Sequence, residues 1–312
     1  MSSTMLQLVQ QATGELGLAQ PTSVAGSAST DTIQQLSLLN AVGNDLARQY
    51  DWQSLVTQYL VTVSSMTITG DTTLGSTTMS GIASTAGIDT TYQISGTGLN
   101  QATYVSAVPG GTSLTLSQPT TSTNTGATYT LGKVKYAMPS DYDRQINRTH
   151  WDKSKHWEML GPETAQQWEW LISGYISTGP RIRYRIFGDY FQTWPIITTP
   201  DTIGFEYMSN AWVSDTVTTP GTTLKKSSFT LDTDTCCFPD RLMVAGLKLR
   251  YFKIKGFDTG AIGERGSLAD EFQMQLDIAK ANDGGARTLS MAPRPSNVLI
   301  NWNQIPDSNY GS

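Results

Sequence analysis

The chain has 312 residues, of which 38% are hydrophobic and 15% are charged, and its net charge is −5. So few charged residues argue against an intrinsically disordered chain, which would carry more charge. The net charge is too small, and of the wrong sign, to steer the whole molecule onto DNA. No apolar run approaches the roughly 18 residues of a membrane span, so we expect a chain that is made in a cytoplasm and has no membrane segment.

Two helices are predicted at the start of the chain. Apolar residues at helical spacing from Met5 to Leu16 predict the first helix, which should end at Gly17. Cap candidates at Ser29 precede a longer amphipathic pattern that runs to Tyr50. Helices this short are marginal alone in water, so we expect both to pack on later helices.

Residues 55–132 have a different composition. Between Leu55 and Leu131 the only charged residues are Asp71 and Asp89, while Thr, Ser and Gly dominate. Short alternating apolar runs recur between turn residues at spacings typical of a small sandwich or barrel. The pattern predicts an inserted all-β domain.

The next segment should mix short helices with a hairpin. Ser140 is expected to cap a short helix that contains Tyr142 and Ile146, and a second helix should carry Trp168 and Leu171. Residues 181–194 alternate and turn at Gly188, which predicts a β-hairpin. Its three arginines should lie on a solvated or subunit-facing side, with Glu206 or Asp189 as partners: Arg181, Arg183 and Arg185.

A strand and two helices are predicted between residues 201 and 282. Ile203, Phe205 and Tyr207 alternate as in a half-buried strand, and Phe229 begins a second, short one. A helix should start at Pro239 and end at Gly256. Its basic last turns suit the helix dipole or a subunit interface: Lys248, Arg250 and Lys253. A glycine-rich hinge then leads to an amphipathic helix from Leu268 to Ala279.

The residue types that carry chemistry do not form a recognisable site. His150 and His156 are six residues apart, which does not suit a zinc-binding helix, and Asp232 with Asp234 lacks the later ligands of a calcium loop. The two cysteines are adjacent and are predicted to stay reduced. We therefore predict no catalytic, metal-binding or cofactor-binding residue. A hydrolase that uses His150 as its general base is the alternative left open.

Residues 283–312 contain three prolines and no helical period. A segment with apolar side chains but no fold of its own predicts an extended arm that binds a groove on a partner. Packing against its own domain is the alternative. The candidate partner-binding residues are Val298, Leu299, Ile300, Trp302 and Ile305.

Four phrases occur in an order that resembles the head-to-tail adaptor proteins of tailed phages. They are YAMPSDYDRQINRTHW, YRIFGDYFQTWP, IGFEYMSNAWV and LDTDTCCFPDRLMVAGLKLRYFKIKG. With the patterns above, the resemblance implies an α+β fold: a helical bundle with a small antiparallel sheet, plus an inserted all-β domain and an extended C-terminal arm. The expected domains are an adaptor core at 1–54 and 133–282, the insert at 55–132 and the arm at 283–312.

The resemblance also implies a function without catalysis. Such subunits form a ring, here of twelve copies, at the head–tail junction of the virion, where they join the portal protein to the tail nozzle or the next tail protein. DNA passes through the ring without sequence-specific binding, and the C-terminal arm reaches the portal. The alternative is a tail spike or fibre protein that binds a receptor or carbohydrate, which would use the Thr-rich insert with Tyr92 and Tyr104.

Overall fold

The computed structural model describes residues 3–63, 65–173, 181–215 and 224–285. These residues form two compact units, and the chain passes between them several times. The first, which we name the helical unit, comprises described residues within 3–57, 141–145 and 207–285. The second, the barrel unit, comprises described residues within 58–140 and 146–206.

The described elements are short, and strands outnumber helices. The helices are α1 (Met5–Glu15), α2 (Thr30–Gln49), α3 (Ala165–Ile172), α4 (Asp240–Lys255) and α5 (Leu268–Gly285). The strands are β1 (Val56–Val63), β2 (Ser65–Thr72), β3 (Thr78–Ser80), β4 (Tyr92–Ser95), β5 (Thr103–Gly110), β6 (Ser113–Leu116), β7 (Asn124–Lys133), β8 (Lys135–Ala137), β9 (Tyr142–Gln145), β10 (Trp151–Asp152), β11 (Trp157–Glu158), β12 (Arg183–Phe187), β13 (Tyr190–Trp194), β14 (Asp201–Ser209), β15 (Val213–Asp215), β16 (Leu224–Lys226) and β17 (Thr235–Cys236).

The helix ends follow local signals in the sequence. Thr4 and Gln7 form a reciprocal capping box at the start of α1, which satisfies backbone N–H groups that have no partner within the helix. Helix α4 begins after Pro239 and ends at Gly256, whose φ of 80° lies in the left-handed region that glycine adopts without strain. The helices predicted near the N-terminus and around α4 and α5 are confirmed.

The Trp212 side chain packs closely against helix α2 in the helical unit. Trp212 is buried, and its indole N–H donates to the side-chain oxygen of Asn44 at 2.9 Å. A Cβ atom added at Gly43 would lie 2.2 Å from the Trp212 ring, so only glycine allows this approach. The apolar faces of α1, α2 and α4 supply most of the remaining core, including Met5, Leu39 and Leu242.

The barrel unit contains a closed antiparallel barrel with strand order β2-β3-β6-β5-β4-β7. Its interior is filled by a single apolar cluster that includes Met79, Ile94, Leu114, Tyr129 and Leu131. Closure pairs strands on both sides and leaves the barrel without a free edge. All six strands lie between residues 65 and 133, close to the segment that composition marked as β.

Two further sheets complete the barrel unit. One has the order β1-β14-β10-β11, and the other has the order β12-β13-β8. The hairpin formed by β12 and β13 turns at Gly188, as predicted. In the helical unit, the last residues of β14 pair with β9, and β15 pairs with both β16 and β17.

The predicted fold class is wrong. We expected a helical bundle with a small antiparallel sheet, but the described protein is mostly β, with a closed six-strand barrel and several sheets beside five helices. The segment after Ser140 illustrates the reason: Tyr142–Gln145 is strand β9, because residues Tyr207–Ser209 of β14 offer it a pairing edge that local propensity cannot reveal. Phe229, in contrast, lies in no strand. The predicted domain boundaries stay a prediction.

Candidate assembly surface

An apolar cleft opens between the helices of the helical unit. Its volume is about 700 Å³. We name it the α2–α4 cleft, because most of its lining side chains come from these two helices, with one from α5. The apolar lining residues include Leu38, Val42, Leu46, Leu249, Ile254 and Phe272.

Three basic side chains are among the residues that line this cleft. Arg48 and Lys253 line it and are exposed, while the guanidinium of Arg250 is paired with the carboxylate of Asp45. Because the charge of Arg250 is matched by Asp45, Arg48 and Lys253 supply the net charge of the rim. The cleft therefore combines an apolar floor with a positive border.

Lys248 lies inside the helical unit instead of on its surface. Its ammonium group is 2.7 Å from a carboxylate oxygen of Glu15 on α1 and 2.9 Å from one of Glu271 on α5. Burial acts to lower the pKa of Lys248, but the hydrogen bonds to both carboxylates outweigh it and raise that pKa above its ordinary value. The hydrogen bond from Lys248 also holds the pKa of Glu15 below its usual range. This ion triad ties α1, α4 and α5 together.

Helix α5 has a second apolar side, which faces away from its packed side. Leu276 and Ala279 are buried, whereas Met274 and Ile278 are 51% and 47% exposed. We name Met274 and Ile278 the α5 stripe. The exposed Asp277 lies beside this stripe and accepts a hydrogen bond from the Gln273 side chain at 3.0 Å.

The predicted interface arginines lie in the barrel unit. Arg183 donates to Glu163 at 2.7 Å, so its partner is neither Glu206 nor Asp189 as predicted. The guanidinium of Arg185 lies 5.0 Å from the centre of the exposed Phe187 ring, at the hairpin tip. Arg181 is half-buried just before β12. A role for these residues in subunit contacts stays a prediction, as it does for Lys248, Arg250 and Lys253.

His150 is a packed core residue. Its ring is 1% exposed and stacks on Tyr184 at 4.0 Å and on Phe205 at 4.7 Å between ring centres. Within the described ranges neither ring nitrogen has a hydrogen-bond partner. Burial of this kind disfavours the charged form and lowers the pKa of His150 to about 4.

Asp232 and Asp234 accept hydrogen bonds from nearby loops. Asp232 accepts hydrogen bonds from the backbone N–H groups of Val24 and Ala25, at 2.9 and 2.7 Å. Asp234 accepts from the backbone of Thr230 and from Lys226. Both carboxylates therefore stabilise the backbone of neighbouring loop segments. Among the described residues, no group of three or more His, Cys, Asp or Glu side chains is placed to hold a metal ion.

The tyrosines of the carbohydrate alternative take part in packing. Tyr92 packs on the interior cluster of the barrel. Tyr104 packs on a cluster around Trp168, and its ring receives the Lys135 ammonium at 5.0 Å from the centre. Burial raises the pKa of Tyr104 to about 12. Neither ring is a fully exposed stacking platform.

The sequence reasoning missed the α5 stripe. Met274 and Ile278 are four residues apart, so the spacing itself was a usable signal, but an amphipathic pattern was assigned only to the packed side of the helix. The predicted arm residues cannot be placed, because Val298, Leu299, Ile300, Trp302 and Ile305 lie outside the described residues.

Neither protein-family models nor curated proteins match this chain. Within the part of the chain that the structure describes, no helix is both long enough and apolar enough to cross a bilayer. The geometry and the sequence therefore carry the functional argument.

Proposed function

We propose that this protein is a head-to-tail adaptor subunit of a tailed phage. Copies of it form a ring, twelve in number by the resemblance, at the head–tail junction of the virion. The ring joins the portal protein to the tail nozzle or to the next tail protein, and DNA passes through it without sequence-specific binding. The chain acts by its shape and its contacts, without catalysis or a cofactor.

One observation carries the proposal. Five of the 14 exposed large apolar side chains in the described residues lie between Ile254 and Ile278, a small part of the chain. Exposed apolar surface is costly in water, and its concentration is typical of a protein–protein interaction site. One of the five, Ile254, belongs to the last of the four phrases that resemble the adaptor proteins, and the group directly precedes the segment predicted to be the arm. The five side chains are Ile254, Phe257, Ile262, Met274 and Ile278.

The mechanism is geometric. Neighbours in a closed ring contact each other through two different surfaces, one on each side of the subunit. The segment 286–312 then binds the portal through its apolar side chains. Ordering such a segment costs roughly 1–2 kcal/mol per residue, so backbone pairing with the portal must accompany side-chain burial.

The test uses phage heads that contain the portal but lack this protein. Purified full-length protein should bind to these heads and restore tail attachment, and images of the neck should show a ring. A variant that lacks 286–312 should keep its thermal unfolding temperature and lose binding to the heads. Failure of the full-length protein to bind would refute the adaptor function, whereas binding by the shortened variant would refute only the role of the arm.

A further inference from the structure

Two surfaces of the helical unit are complementary in shape and in charge. The α2–α4 cleft is a concave apolar surface with Arg48 and Lys253 at its border. The α5 stripe is a convex apolar surface with the acidic Asp277 beside it. An exposed amphipathic helix face that meets an apolar groove is a recurring mode of recognition between proteins.

The two surfaces lie on opposite sides of α5. Phe272 of this helix lines the cleft, and residues of an α-helix advance by about 100° each. Met274 and Ile278 therefore lie roughly 200–240° around the helix from Phe272. The burial pattern agrees, because Leu276 and Ala279, on the side of Phe272, are buried while the stripe is exposed.

We infer that the α5 stripe of one copy binds in the α2–α4 cleft of the next copy. This inference rests on the proposed function and names the surfaces that join neighbouring subunits. Because the surfaces lie on opposite sides of α5, a two-fold dimer cannot join both of them in a single contact. Each copy instead binds one neighbour through its cleft and another through its stripe, and repetition of this contact gives a ring when the rotation between copies closes.

Charge complementarity indicates that the partner that binds in the cleft is a second copy of the chain. The positive border of the cleft suits an acidic helix face, and α5 carries Asp270 and Asp277 on the side of the stripe. We expect Lys253 of one copy to pair with Asp277 of its neighbour at the edge of the contact. The core of the contact is Met274 and Ile278 against the floor of the cleft, where apolar burial supplies most of the affinity.

The experiment compares two matched variants, Ile254→Asp in the cleft and Ile278→Asp on the stripe. Both side chains are about half exposed, so both variants should fold with unchanged thermal unfolding temperatures. Sedimentation velocity from about 10 to 500 µM should show concentration-dependent assembly of the wild-type protein beyond a dimer. Each variant alone should assemble at least tenfold more weakly. Leu74→Asp, at an exposed apolar position in the barrel unit, is the control and should assemble like the wild type.

Mixing the two variants gives the decisive result. The mixture retains one intact cleft and one intact stripe, so it should form a heterodimer and nothing larger. Wild-type protein that stays monomeric over this range, variants that assemble normally, or a mixture that assembles beyond a dimer would each overturn the inference. The proposed function is judged separately, by binding to portal-containing heads, so the two can fail independently.

Charge reversal tests the pairing of Lys253 with Asp277. Lys253→Asp and Asp277→Lys should each weaken assembly severalfold, and the chain that carries both changes should recover it at low salt. Recovery requires that the two residues meet between copies, since it restores opposite charges at the same contact. Double-variant assembly no stronger than that of the single variants would overturn the assignment of this pair.

Discussion

The barrel and the helical unit are stabilised by different interactions. The barrel closes its hydrogen-bonded sheet on itself and encloses one apolar cluster, and the segment that forms it is almost free of charge. The helical unit is held by buried side chains together with ion pairs between helices, yet it leaves apolar side chains exposed. A closed sheet pairs the backbone groups of all its strands and encloses its apolar side chains. A layer of helices, in contrast, leaves apolar side chains on its surface that can contact other chains.

The largest expected effect tests how tightly the helical unit is packed. Gly43→Ala places a methyl group against the buried Trp212 ring, so we expect a loss of about 3 kcal/mol of unfolding free energy, the upper end of the usual cost of overpacking. Gly111→Ala in the barrel unit is the control, because nothing lies near the added atom. Denaturant unfolding of both variants measures the difference. Equal stabilities would show that the contact with Trp212 is loose.

The second-largest expected effect is a dependence of the stability of the barrel unit on pH. The pKa of His150 falls from an ordinary 6.5 to about 4 in the folded state, so below pH 6.5 the unfolded chain takes up a proton that the folded chain does not. The stability that neutral His150 contributes is fully present above pH 6.5 and is lost as the pH falls towards 4, by about 3 kcal/mol in total.

His150→Phe should remove this part of the pH dependence, because phenylalanine keeps the aromatic stack without titrating. Chemical unfolding of the wild type and the variant at pH 7, 5 and 4 measures the effect. Parallel pH profiles for the wild type and His150→Phe would refute the prediction.

The smallest effect tests the ion triad. Lys248→Met leaves Glu15 and Glu271 without their shared cation, but both carboxylates are partly exposed, so solvent limits the cost to about 1–2 kcal/mol. The loss should be smaller at high salt, because mobile ions screen the remaining carboxylates. Arg241→Met, on the same helix with only a distant contact to Glu15, should cost less. Thermal unfolding at low and high salt checks both expectations.

The helical elements could be predicted because their signals are local. The apolar spacing of α1 and α2, and Gly256 at the end of α4, are properties of a few neighbouring residues. The hairpin of β12 and β13 was predicted for the same reason, since its turn residues lie between its strands. Two residues that line the cleft, Arg250 and Lys253, were named from the sequence as possible interface residues, a role that stays a prediction, and the α5 stripe was not recognised.

The sequence by itself determined the positions of α1, α2, α4 and α5, the turn between β12 and β13 and the segment that is almost free of charge, because these depend on residues close together in the chain. Only the tertiary structure decided that Tyr142–Gln145 pairs as a strand, that six strands close into a barrel and that Arg183 pairs with Glu163. It also decided that Lys248 is buried in an ion triad while Met274 and Ile278 stay exposed. Strand pairing and burial depend on residues far apart in the sequence, so local patterns do not specify them.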